Sequence, residues 1–96
     1  MIVHIVMFKF ADENKEQNIQ KAKEMLLGLE KDLDIIKKME VGINFDESAR
    51  AFDLSLYSKF DSKEDLNAYA VDEKHLKVVE FIKSVALESK VVDYEI

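Results

Sequence analysis

The opening segment of this chain limits its fold more than any other. Ile2 to Phe10 reads as one strand, with His4, Val6, Phe8 and Phe10 on one side and Val3, Ile5, Met7 and Lys9 on the other. Both sides are largely apolar, so a solvent-washed edge would not tolerate it. Such a strand belongs inside a sheet that is covered twice. A layer of helices supplies one cover, and the second must come from elsewhere.

The remaining pattern identifies the helical layer. Asn14 is a good N-cap with Gln17 in the capping-box position. Ile19, Ala22, Leu26, Leu29 and Leu33 follow at spacings of three and four, which predicts a helix ending near Asp32. Met39, Val41, Ile43 and Phe45 then alternate with Lys38, Glu40, Gly42 and Asn44 as a second strand. A polar loop over 46–50 leads to a third strand, Phe52 to Phe60. Ser62 with Asp65 forms another capping box and opens a helix that carries Leu66 and Tyr69. Asp72-Glu73-Lys74 is a polar break, and helical spacing resumes from His75 through Leu76, Val79, Ile82 and Val85 or Ala86. Lys90 to Ile96 is a last, β-branched strand.

The order β-α-β-β-α-β is that of a ferredoxin-like α+β fold, a four-stranded antiparallel sheet with both helical segments on one face. Its other face is bare. A second copy of the same sheet is the simplest cover, because homodimers dominate among oligomers. The expected assembly is therefore a dimeric α+β barrel with helices outside.

Composition narrows the function classes. Ninety-six residues suit a single domain over 1–96, and 48% hydrophobic residues with six Phe and three Tyr exclude a disordered chain. Without proline, and with only Gly28 and Gly42, there is no linker segment. The net charge of −6, with lysines interleaved among acids as in Lys63-Glu64-Asp65, opposes nucleic acid and membrane surfaces as partners. No apolar run is long enough to span a bilayer. Met1 to Phe10 lacks a basic leader and a small-residue cleavage site, so it reads as a strand, not a signal peptide. Absence of cysteine removes disulfides and thiol chemistry and fits a cytoplasmic location. Two histidines cannot form a three-histidine metal site. There is also no glycine-rich phosphate loop, dinucleotide fingerprint or nucleophile elbow. The expectation is a chain with no metal and no cofactor.

Several segments taken in order resemble the stress-responsive α/β-barrel (Dabb) family. They are His4-Ile5-Val6-Met7-Phe8-Lys9-Phe10, Phe52-Asp53-Leu54-Ser55-Leu56 with Phe60, Glu64-Asp65-Leu66, the pair Tyr69 and His75, and Val92-Asp93-Tyr94. The resemblance covers nearly the whole chain. It implies a homodimeric barrel, and a few plant relatives act as polyketide cyclases through a Tyr and a His in the pocket. Asp72-Glu73 stands here where that family commonly has a His-Pro pair.

His4, Tyr69, His75 and Asp93 are the candidate site residues. First and last strands are antiparallel neighbours in this topology, which brings His4 near Asp93. A carboxylate beside an imidazole orients the ring and suits it to acid–base work. Tyr69 could donate to a carbonyl oxygen, and His75 could take or return a proton. Each residue also has a plainer reading. His4 and Tyr69 could be core residues, His75 could close the helix break, and Asp93 could be an edge charge that discourages aggregation. Three classes stay open: a dimeric barrel that binds a small apolar or aromatic molecule, a cofactor-independent cyclase, isomerase or monooxygenase, and a structural stress-protective assembly.

Overall fold

A computed structural model spans residues 1–96. β1 (Ile2–Phe10) takes an interior position, as its two apolar faces require, in a sheet of order β2-β3-β1-β4. The other strands are β2 (Lys38–Ile43), β3 (Leu54–Phe60) and β4 (Ala86–Glu95), and every neighbouring pair is antiparallel. Three helices cover one face: α1 (Lys15–Asp32), α2 (Lys63–Val71) and α3 (Glu73–Val85). The fold is the expected ferredoxin-like one, with the second helical segment split in two.

Strand register sorts the side chains into two layers. His4 lies between Ser58 and Asp93, and Val6 between Leu56 and Val91, on the face beneath the helices. The apolar stripe of α1 (Ile19, Ala22, Leu26, Leu29) packs here with Phe10, Leu54, Leu56 and Phe60, and α3 adds Val78 and Ile82. Ile5 lies between Tyr57 and Val92, and Val3 between Lys59 and Tyr94, on the opposite face. That face carries no helix and leaves Met7, Val92 and Tyr94 at 41%, 59% and 41% exposure.

Element boundaries differ from the sequence pattern in physically instructive places. Asn14 does precede α1, but it adopts a left-handed backbone (φ 54°) and its side chain caps nothing. The capping box with Gln17 is therefore not made. Ser62 does accept the Asp65 N–H at 3.1 Å, so the second box is. Phe45 lies beyond β2 and is 97% exposed, although its alternation with Ile43 placed it on the strand. Phe52 and Asp53 precede β3. The Asp53 carboxylate accepts the Phe10 N–H at 2.7 Å and pairs with Lys15 at 3.3 Å, tying the loop to β1.

The polar break shrinks to one residue, Asp72, whose side chain accepts the Lys74 N–H at 2.8 Å and so caps α3. Helix therefore resumes at Glu73, before His75. Leu76 points outward at 48% exposure, and the buried positions of α3 are Val78 and Ile82. α3 then passes directly into β4 at Ala86, which makes that strand four residues longer at its start than Lys90 to Ile96 suggested. No helix is long and apolar enough to cross a membrane.

Candidate functional site

The site forms where the middle of the sheet meets the α2–α3 junction. His4 sits on β1 with its carbonyl accepting from Ser58 Oγ at 3.2 Å, and Ser58 is fully buried. Its Nδ1 meets the carboxylate of Asp93 across the β1–β4 ladder. A carboxylate accepts, so Nδ1 carries the proton and Nε2 is the ring nitrogen left free. Asp93 is half exposed on the edge strand, whereas the His4 side chain is 15% exposed.

Tyr69, near the end of α2, is 1% exposed. Its ring centroid lies 5.1 Å from Phe60, 6.3 Å from His4 and 4.1 Å from His75. Burial pushes its hydroxyl pKa well above the ordinary tyrosine value, so the group stays a donor at any physiological pH. That hydroxyl has no hydrogen-bond partner within the chain. An unpaired buried hydroxyl costs about 1–3 kcal/mol, so it is a donor held ready at some expense of stability.

The single-residue break explains how Tyr69 and His75 meet. In an unbroken helix, six residues would leave the two side chains about 120° apart. The extended backbone of Asp72 (φ −65°, ψ 136°) redirects the chain, and the rings end up tilted 36° to one another in contact. His75 Nδ1 lies 3.3 Å from the Ala70 carbonyl. A carbonyl can only accept, so the neutral ring holds its proton there and presents a lone pair at Nε2. Desolvation lowers the His75 pKa, the neighbouring His4 lowers it further, and the Ala70 contact and Asp72 oppose the shift. The net effect favours a neutral ring, the form that accepts a proton.

A cavity of about 380 Å³ runs between the sheet and α3. β1 and α3 border it side by side, from His4 and His75 at one end to Phe8 and Ala86 at the other. Val6, Leu26, Leu56, Val78 and Ile82 form the apolar walls between. The cavity therefore lies on the helix side of the sheet and not in the space that two facing sheets would enclose. Of the four candidates, His4 and His75 line it. Tyr69 packs behind both rings and Asp93 holds His4 from outside. Val79, expected only as part of the apolar helical stripe, also borders the cavity, as do Lys83 and Ser89, to which pattern reading assigned nothing. Eight residues turn the helix about 80° away from His75, so helical spacing alone gave no signal that Lys83 shares its cavity.

The profile of the Stress responsive A/B Barrel Domain family matches residues 2–96. A stress-response A/B barrel domain-containing protein of Arabidopsis thaliana is 30% identical over 98% of this chain. The alignment takes in 46% of that protein, so this chain spans about half the length of its curated relative. A dimeric protein of unknown function and ferredoxin-like fold from Bacteroides fragilis superposes with a TM-score of 0.90 at 30% identity, covering 99% of this chain and 95% of that one. A hydroxynitrile lyase from Passiflora edulis shares the fold at a TM-score of 0.88 and 17% identity, over 99% and 92% of the two chains. With the family profile matched from residue 2 to 96 and a curated relative 30% identical over nearly the whole chain, the chain belongs to the stress responsive A/B barrel domain family.

Proposed function

We propose that this chain is a homodimeric binding protein that takes a small, largely apolar molecule into the cavity beneath α3, one in each protomer. The cavity itself carries the reading. Its volume of about 380 Å³ falls in the range of small-molecule sites, and apolar walls ending in two polar rings are their usual makeup. The dimer rests on the open sheet face, which carries no helix and leaves Met7, Val92 and Tyr94 exposed and Ile5 and Tyr57 half covered, and on the dimeric state of the Bacteroides relative.

A fluorescent probe tests the cavity. N-phenyl-1-naphthylamine is neutral and apolar, and it should brighten on binding the wild-type protein. Val79→Trp would place an indole in the cavity from a half-buried position of α3. It should weaken probe binding at least tenfold, about 1.4 kcal/mol, while the protein stays folded. Equal binding by the two proteins, or none by the wild type, would contradict the reading.

A second reading, acid–base catalysis on the bound molecule, is favoured by the histidine arrangement. His75 Nε2 offers a lone pair, His4 Nε2 is free while Asp93 fixes its ring, and the Tyr69 hydroxyl has an unused proton. The two rings that border the cavity can remove a proton beside a carbonyl of the bound molecule. The hydroxynitrile lyase is an enzyme on the same fold.

A further inference from the structure

Lys83 is the only lysine or arginine bordering the cavity, and it lies at the end away from the histidines. Its ammonium makes no ion pair within the chain, although acids outnumber bases by 20 to 14. Glu88, the one carboxylate at the same border, is engaged by Lys90 at 3.1 Å. Lys83 is thus a free cation at the mouth of an apolar slot in an acidic protein.

Helix and strand give the length of the slot. His75 and Lys83 are eight residues apart on α3, about 12 Å at 1.5 Å per residue. His4 and Phe8 are four apart on β1, about 13 Å at 3.3 Å per residue. The two rulers agree, and the wall between is apolar throughout.

We infer that the molecule taken by this cavity is an elongated monoanion: a carboxylate at Lys83, an apolar body along Phe8, Val78 and Ile82, and its remaining polar group at His4 and His75. The inference rests on the proposed binding role of the cavity and adds the class of ligand. A lysine placed merely to favour the carbonyl end of α3 would satisfy the helix equally well with any ligand bound. It would give no preference for an anion. The net charge of the protein works against anions, so any preference for one requires a local cation.

Decanoate and 1-decanol differ in charge and share a chain of suitable length, which makes them a matched pair for calorimetric titration below micelle formation. Wild type should bind decanoate about tenfold more tightly than decanol. Lys83→Met keeps the apolar stem of an exposed side chain, so the fold should be unaffected. It should abolish the preference, so that decanoate binds no more tightly than decanol. Equal affinities in wild type would overturn the inference and leave the cavity reading standing. A preference that survives Lys83→Met would place the anion elsewhere, the histidines included, and would also overturn it. Binding of neither compound would contradict both readings.

Discussion

Phe60→Ala should destabilise the protein by about 3–5 kcal/mol, the usual cost of removing a buried phenyl ring. Phe60 is completely buried where β3 passes beneath α2, opposite Ile2 on β1. Its ring contacts Tyr69 at 5.1 Å and lies 6.5 Å from His4, edge-on. A domain of this length has about 5–14 kcal/mol in all, so the variant should lose a large share of it. Chemical denaturation should show a midpoint shifted far down with little change in slope. A loss below about 1 kcal/mol would mean that the aromatic group under the α2–α3 junction is not close-packed.

Ile5→Glu should convert the dimer to a monomer. Ile5 sits at the centre of the open face, flanked by Tyr57 and Val92, and its side chain points away from the cavity. In a two-fold dimer the new carboxylates enter one seam from both sides, and each is desolvated without a partner. Within the protomer the position is only half covered, so the fold should survive with modest loss. Light scattering at micromolar concentration should give twice the chain mass for wild type and the single mass for the variant. A wild-type monomer, or a variant that remains dimeric, would contradict the proposed assembly.

Much of this architecture was legible from the chain because its signals are local and repetitive. The two-sided strand Ile2–Phe10 fixed the interior position of β1, and the stripe from Ile19 to Leu29 fixed the buried side of α1. Strand adjacency alone put His4 beside Asp93. What the pattern could not settle was which face of β1 would meet the helices, since both are apolar, and so on which side a cavity would open. Nor could it reveal that Asp72 would serve as both the end of α2 and the cap of α3, because three consecutive polar residues look alike as a break. The left-handed Asn14 and the projecting Phe45 were hidden for a related reason. At Asn14 a left-handed backbone overrides the capping signal, and after Ile43 the strand ends while the side-chain alternation continues to Phe45.

The presence of only two histidines makes one measurement unusually clean. Long-range proton–nitrogen NMR of the imidazole rings reports each Nε2 and Nδ1 separately, and the spectrum holds just His4 and His75. During titration with N-phenyl-1-naphthylamine, both rings should shift along one saturating curve with the same affinity that fluorescence gives. Before any probe is added, His75 should already show the neutral Nδ1–H form at pH values where an ordinary histidine begins to gain charge. Probe binding that saturates with both rings unmoved would put the ligand somewhere other than the cavity beneath α3, and the central claim would fail.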